Sequence, residues 1–409
     1  MVATMREMKD SGIEWIGEIP ESWGSQRLRF LCSIETGNMD TQDHNPDGIY
    51  PFYVRSPIIE HSDSYTFDNE AVLMAGDGVG AGKVFHYVKG KYGCHQRVYS
   101  MSNLRIEGKF LYYYLSENFY KKIEASNAKS TVDSVRLPML KDFYVVFPNE
   151  DEQKKIVIYL DRQCAHIDNI IEKTKASIEE YKKLRQAVIT QAVTKGVRGD
   201  RPMKDSGIEW IGEIPAEWDV LKTIYLFKEN VRTPDDNAIS LSLSQTDGLI
   251  PTDEMKESSL KTSTYDGWKQ VRLGDLVLNR FKGHLGVLYA AWIEGMVSFH
   301  YGVYEPQTDL STKYYEYLYH SDCYKAILGL KSNGMTVGLQ NLSNQNFYSV
   351  MSLYPPFEEQ KEIVEYIDAK IAAINALITK KEQFLTELES YKKSMIYEYV
   401  TGKKEVPQA

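Results

Sequence analysis

Apolar residues recur at helical intervals over two very long stretches of this chain. Between residues 150 and 196, Ile156, Leu160, Ile167, Ile171, Ile178, Tyr181 and Val188 fall at steps of three, four or seven. Charged residues occupy the other faces, and no Pro or Gly intervenes before Gly196. Residues 357–400 repeat the pattern with Ile363, Ile367, Ile374, Ile378, Leu385, Leu388, Tyr391 and Met395. Spacing of this kind predicts one apolar stripe on a helix. At 1.5 Å per residue each helix would be on the order of 60 Å long. A narrow stripe on so long a helix needs a partner stripe, and the other copy can supply it as an antiparallel coiled coil. Two separate amphipathic helices, each lying on its own domain, are the plainer alternative.

Elsewhere the pattern is mixed. Ala71 to Met74, Lys83 to Val88, Phe143 to Phe147, Leu276 to Leu278 and Gly286 to Ala290 read as strands. Residues 110–123 and 313–327 read as aromatic-rich helices whose tyrosines suit core and helix contacts better than stacking on bases. Gly, Asn, Asp and Ser gather around 36–48, 76–82, 232–248 and 331–346, which predicts loops, and 196–202 is a short linker.

These elements occur twice. Met8 to Pro20 and Met203 to Pro215 are the same sequence, and Pro148 to Val157 is echoed by Pro355 to Val364 in its Glu-Gln-Lys-x-Ile-Val core. Tyr181-Lys182-Lys183 matches Tyr391-Lys392-Lys393, and Val193-Thr194 matches Val400-Thr401. Between them the echoes are faint: His95, Val98 and Tyr99 against His300, Val303 and Tyr304, and Tyr114-Leu115 and Tyr120-Lys121 against Tyr317-Leu318 and Tyr324-Lys325. A fixed opener, a divergent middle and a fixed helix, then the same again, predict a two-fold repeat. The fold class expected is α+β: two mixed α/β domains joined by two long antiparallel helices with pseudo-twofold symmetry. The first domain covers 1–149, with its opener at 8–23, and the first helix region covers 150–200. The second domain covers 201–356, with its opener at 203–218, and the second helix region covers 357–409.

With 409 residues there is room for two or three domains with real cores. Cys32, Cys94, Cys164 and Cys323 stand far apart without a Cys-x-x-Cys, which favours free thiols over a disulfide framework or zinc site. No apolar run follows Met1 and no stretch is long enough to span a bilayer, so a soluble cytoplasmic protein is expected. The net charge of −9 argues against nucleic acid until it is divided. Residues 20–148 hold 14 Lys/Arg against 15 Asp/Glu, and residues 216–355 hold 12 against 16. Locally, Lys83, Lys89, Lys91, Arg97, Arg105 and Lys109 face only Glu107, and Lys269, Arg272, Arg280, Lys282 and His284 lie close around Asp275. Mixed charge permits a basic face while making tight DNA binding by this chain alone less favourable.

Catalytic motifs are weak. Gly76 to Lys83 imitates a phosphate-cradling loop, but Asp77 stands where a glycine is needed and Val84 where Ser/Thr is needed. Tyr354-Pro355-Pro356-Phe357 resembles the Pro-Pro-aromatic element of amino-group DNA methyltransferases. Tyr is a poor acceptor for a base amino group, and a Pro pair more simply ends a strand and starts a helix. Pro234-Asp235, Glu254 and Lys256 fit a loose metal-nuclease pattern that is too short to carry weight and occurs in only one half.

The doubled Ile-Glu-Trp-Ile-Gly-Glu-Ile-Pro opener, running through Trp23 and Trp218, and the two Pro…Glu-Gln-Lys-x-Ile-Val helix starts resemble the specificity subunit of type I restriction–modification enzymes over essentially the whole chain. The resemblance implies two target recognition domains reading the halves of a split DNA sequence. It also implies two helices that act as spacer and as docking surface for two modification subunits. Catalysis would then lie in partners: S-adenosylmethionine-dependent adenine-N6 methylation in the modification subunits, and ATP- and Mg-dependent translocation and cleavage in restriction subunits. This chain would have no catalytic residue, metal or cofactor. Base readout needs Arg, Lys, Asn, Gln or Ser/Thr in a groove. The candidates are Arg55, Lys83, Gln96, Arg97 and Ser130 in the first domain and Arg280, Lys282, His284, Lys331 and Asn333 in the second. Helix packing is assigned to Ile156, Leu160, Ile167, Ile171, Ile178, Ile363, Ile367, Ile374, Ile378 and Leu388. The readings left open are a stand-alone methyltransferase or nuclease, and a coiled-coil scaffold without a DNA role.

Overall fold

The computed structural model describes residues 6–126, 134–235, 237–245, 247–255, 266–333 and 340–407. The chain divides into two compact units, residues 1–174 with 382–409 and residues 175–381, and both mix helices with sheets.

The first unit opens on a hairpin of β1 (Met8–Asp10) and β2 (Glu18–Pro20), followed by β3 (Gly24–Arg27). Then come β4 (Ser33–Thr36), β5 (Tyr50–Tyr53), β6 (Glu60–Ser62), β7 (Phe67–Ala75), β8 (Phe85–Cys94) and β9 (Val98–Ser102). These six form one sheet in the order β4-β9-β7-β8-β5-β6, antiparallel except for the β5–β8 pair. The helix α1 (Gly108–Ser126) lies against β7 and β8. After it, α2 (Leu137–Lys141) leads into β10 (Tyr144–Phe147), which pairs with β3, and α3 (Glu150–Lys195) gives this unit its residues 150–174. Strand period two explains β7: Val72 and Met74 enter the main core while Ala71 and Leu73 enter a smaller cluster on the other face.

The second unit repeats the hairpin in β11 (Met203–Asp205) and β12 (Glu213–Pro215), with Met203 opposite Pro215 as Met8 is opposite Pro20. It continues through β13 (Asp219–Lys222), α4 (Thr223–Leu226), β14 (Phe227–Glu229), β15 (Leu241–Ser244), β16 (Gly248–Pro251), β17 (Lys269–Val271) and β18 (Leu276–Asn279). A 3₁₀ turn, Arg280–Leu285, precedes β19 (Leu288–Ala290), β20 (Gly295–Val297) and β21 (Tyr301–Pro306). The unit ends with α5 (Thr312–His320), α6 (Asp322–Lys331), α7 (Asn344–Tyr348), β22 (Met351–Tyr354) and α8 (Phe357–Val400), of which residues 357–381 belong here. Its largest sheet runs β14-β21-β18-β19, and β13 pairs with β22.

Two local expectations change. The aromatic helix expected over 313–327 is two helices broken at Ser321, whose backbone is extended (φ −67°, ψ 149°) and whose hydroxyl donates to Leu318 O at 2.6 Å. A hydroxyl satisfying the last carbonyls of one helix lets the chain turn without exposing them. The loop expected over 232–248 contains β15, because Leu241 and Leu243 alternate inward beneath polar neighbours.

The residues flanking the two identical stretches make the same contacts in both units. Arg6 Nη2 donates to Glu152 at 2.6 Å, Trp23 Nε1 donates to the same carboxylate at 3.3 Å, and the guanidinium lies 5.7 Å from the indole centre. In the second unit Arg201 Nη2 meets Glu359 at 2.5 Å, Trp218 Nε1 donates to it at 3.0 Å, and the cation–π distance is 5.5 Å. The adjacent glutamines repeat too. Gln153 Nε2 donates to Pro148 O and its Oε1 accepts from Glu107 N, both at 2.8 Å; Gln360 does the same with Pro355 O and Ser311 N, again at 2.8 Å. Each opener is thereby fastened to the first turn of a long helix.

The apolar stripes pack within each unit. In the first, Ile156, Leu160 and Ile167 are buried in the main core with Met395, Ile396, Tyr399 and Val400, and Ile171 and Leu388 are partly buried against it. Lys392 Nζ reaches both Asp168 oxygens, at 2.6 and 2.7 Å, and Tyr399 OH donates to Tyr159 OH at 3.2 Å. In the second, Ile363 and Ile367 join Ile189, Ala192 and Val193 in the core; Ile178, Ile374 and Ile378 are also buried, and Arg185 Nη1 donates to Asn375 at 3.0 Å. The start of each long helix therefore packs on its own domain and also exchanges side-chain contacts with the other long helix. The tyrosines serve the same docking: Tyr113 OH donates to Asp161 at 2.8 Å, and Tyr317 OH donates to Asp368. The equivalent of Tyr317 is thus Tyr113, one residue from the Tyr114 suggested by sequence.

Candidate nucleic-acid interface

In the first unit four candidates come together from three separate loops. Arg55 follows β5, Lys83 ends the loop between β7 and β8, and Gln96 and Arg97 precede β9; all four are exposed. Arg55, Lys83, His95 and Val79 help line an open cleft of about 670 Å³. Asp77 accepts from Arg55 Nη1 at 3.3 Å and from Arg97 Nη1 at 3.0 Å. Gln96 Nε2 donates to Asp40 at 2.9 Å. Buried His95 accepts the Arg97 amide on Nδ1 at 3.0 Å, so its proton sits on Nε2, 3.3 Å from Asp40. The Thr41 amide, with His95 beside it, holds the Asp40 carboxyl below the usual carboxylate range. Lys83 Nζ lies 4.4 Å from the Tyr120 ring centre. Ser130 lies outside the described residues.

The second cluster is built differently. Arg280 Nη2 donates to Glu229 and, at 2.8 Å, to Asn344 Oδ1, while Asn344 Nδ2 donates back to Glu229. Half-buried and engaged on both sides, Arg280 braces the 3₁₀ turn. Lys282 is exposed on that turn and His284 is half-buried, its Nδ1 without a hydrogen-bond partner among the described residues. The turn packs on α6, which ends at half-buried Lys331. Exposed Asn333 exchanges backbone hydrogen bonds with Asn341 at 3.0 and 2.8 Å. Lys269, counted in the local positive cluster, is internal: it is buried and donates to Glu229 at 2.7 Å and to Tyr301 O at 2.8 Å. A cleft of about 700 Å³ in this unit lies elsewhere, between Tyr289, Trp292, Lys313 and Glu316. Burial pushes the Glu316 carboxyl up, opposed by neighbouring Lys313.

Sequence reasoning passed over the acids and the amide that hold these side chains: Asp77, Asp40, Glu229 and Asn344. No spacing rule reveals a partner on a distant loop. Arg6 and Arg201 had a usable signal, since they stand the same 195 residues apart as the two openers.

The geometry accounts for two of the enzyme-like motifs. The glycine loop after Ala75 joins two antiparallel strands, whereas a phosphate loop needs a helix N-terminus behind it. Tyr354 ends β22 and Phe357 begins α8, so Pro355 and Pro356 are a strand-to-helix joint. Lys256 of the nuclease pattern lies outside the described residues. All four cysteines are free, and burial pushes the Cys32 and Cys94 thiols up to about 12. Among the described residues no helix is long and apolar enough to cross a membrane.

Known proteins share this organisation. A family model described as the type I restriction modification DNA specificity domain matches residues 20–180 and 286–387, well over half of the chain. The chain is 24% identical over 412 residues to the type I restriction enzyme EcoDI specificity subunit of Escherichia coli, covering 94% of this chain and 89% of that protein. It is 27% identical over 219 residues to the MjaVIII specificity subunit of Methanocaldococcus jannaschii, about half of each (50% and 49%). Two solved structures share its fold at 14% identity. One, described as "Structural basis underlying complex assembly and conformational transition of the type I R-M system", has a TM-score of 0.68 and covers 94% of this chain and 99% of that one. The HsdS subunit of Thermoanaerobacter tengcongensis has a TM-score of 0.51, with 94% and 98% covered. The doubled opener, the doubled helix start and this match together place the chain in the type I restriction–modification DNA specificity family, whose members are the non-catalytic DNA-recognition components of those systems.

Proposed function

We propose that this chain reads a two-part DNA target and holds the enzymes that act on it. Residues 1–149 and 201–356 are the two reading domains, and 150–200 and 357–409 are the spacer helices. The helices form an antiparallel coiled coil with pseudo-twofold symmetry. Within the first unit Asp168 pairs with Lys392 and Tyr159 with Tyr399, so numbers rise on one helix as they fall on the other, which supports the antiparallel sense. Two adenine-N6 methyltransferase subunits dock on the helices, restriction subunits join them, and S-adenosylmethionine, ATP and Mg act in those partners. Arg55, Lys83, Gln96, Arg97 and Ser130 contact one half-site, and Arg280, Lys282, His284, Lys331 and Asn333 serve the other, Arg280 by bracing its turn. The assembly works in the cytoplasm, where the DNA is.

The observation that carries this reading is the contrast within each repeat. The Arg–Trp–Glu fastening is the same in both units, whereas the loop clusters differ in residues and in bracing. Constant scaffolds with different loops suit a common partner and two different half-sites. The test is selection of DNA from a random pool by the chain assembled with its methyltransferase partner. One motif of two short parts at a fixed separation is expected; an unsplit motif, or none, refutes the proposal. R97A should erode one part only, and K282A the other only.

A further inference from the structure

The reading cluster of the first unit contains more than exposed cations. The side chain of Asp77 is 16% exposed, yet each of its oxygens accepts from an arginine that is largely in solvent, Arg55 at 48% and Arg97 at 61%. Among the described residues neither guanidinium has a second acceptor, so each keeps most of its five donors free. The carboxylate itself sits on a tightly bonded backbone: Gly76 N donates to Arg97 O at 2.9 Å, Val135 N to Gly76 O at 2.7 Å, and Gly82 N to Ala75 O at 3.0 Å. A Cβ on Gly80 would stand 2.4 Å from Arg55 O, so glycine is what lets this loop approach the Arg55 segment. At its tip, between Gly78 and Gly80, Val79 is 97% exposed at the edge of the cleft.

A surface arginine ordinarily samples many rotamers, and ordering it on a ligand is costly; an acid that already holds one nitrogen removes part of that cost. Arginine pairs with the O6 and N7 acceptors of guanine in the major groove, and small apolar side chains meet the thymine methyl group. We infer that Asp77 is a positioning residue for specificity, presenting Arg55 and Arg97 as prearranged donors to guanine, and that Val79 is the adjacent apolar contact to a thymine methyl. This rests on the reading of the first unit as a DNA-recognition domain. It makes the half-site read there one that contains guanine with a neighbouring thymine.

The test measures binding of the chain, assembled with its methyltransferase partner, to the selected target with every base pair varied in turn, at two salt concentrations. D77N should lower discrimination at one or two neighbouring guanine positions of one half-site on the order of tenfold. It should leave discrimination at the other half-site unchanged, since the one negative charge removed changes affinity and its salt dependence on all sequences alike. V79A, at an almost fully exposed side chain, should lower the preference for thymine beside those positions several-fold, and D77E should restore part of the D77N loss. Equal weakening on all sequences by D77N, or full discrimination in both variants, overturns the inference while leaving two-part recognition standing. A wild-type assembly without a two-part preference refutes the DNA-reading proposal itself, and this inference with it.

Discussion

At the scale of single residues, the same trio serves the two units at different depths. Glu359 is fully buried beside Arg201 and Trp218, while Glu152 remains a quarter exposed beside Arg6 and Trp23. Removing one partner of a buried ion pair leaves an uncompensated charge and costs about 3–5 kcal/mol, whereas exposed pairs are worth roughly 0–1 kcal/mol. Arg201 keeps exposed Glu217 at 2.9 Å, so E359A should lower stability by about 2–3 kcal/mol, and E152A by a clearly smaller amount; urea denaturation of both variants checks the order. His320 contributes one pH-dependent part of the second unit's stability. Burial, with Lys325 and Lys313 nearby, lowers its pKa from 6.5 to about 4. The folded state thus keeps it neutral while the unfolded chain takes up a proton. That stability is present above pH 6.5 and is lost as pH falls toward 4, up to roughly 3 kcal/mol. Denaturation midpoints should drop across that window, and H320F should flatten the drop.

At the scale of elements, the long helices were the most legible part of the sequence, because a period near 3.6 sustained over so many turns has no other explanation. What periodicity does not give is the neighbour. Leu160 and Ile367 lie in domain cores, and Lys392 and Asp168 sit on the surface between helices. L160A should cost about 2–5 kcal/mol through loss of packing and the cavity left behind, while D168A should cost about 1 kcal/mol or less. Thermal unfolding of the two variants separates these effects. The short strands were less legible. β15 hides among polar residues, and the break at Ser321 comes from one hydroxyl taking a carbonyl, which the tyrosine spacing on either side conceals.

At the scale of the molecule, the proposed function predicts that the middles can be exchanged on a constant frame. Replacing residues 24–147 with the corresponding segment of another family member should change one half of the selected DNA motif and keep the other half and the separation. Sequencing the DNA bound or methylated by such a chimera checks this; a change in both halves would contradict independent reading by the two units. Net charge alone would have misdirected the assignment, since −9 over the chain conceals loops where arginines and lysines outnumber their acids.

The sequence by itself determined the two-fold plan, the long helices and the family, because identical openers and sustained periodicity are local properties written in consecutive residues. It also placed Arg55, Lys83, Gln96 and Arg97 among the candidates that the fold brings together. Only the tertiary structure decided which cations are free and which are struts. Arg97 and Arg280 look alike in a string of letters, yet one stands in solvent on a half-hidden aspartate while the other is drawn between Glu229 and Asn344. That difference arises from residues 20 to 64 positions distant, and an electrostatic partner is chosen by closeness in space.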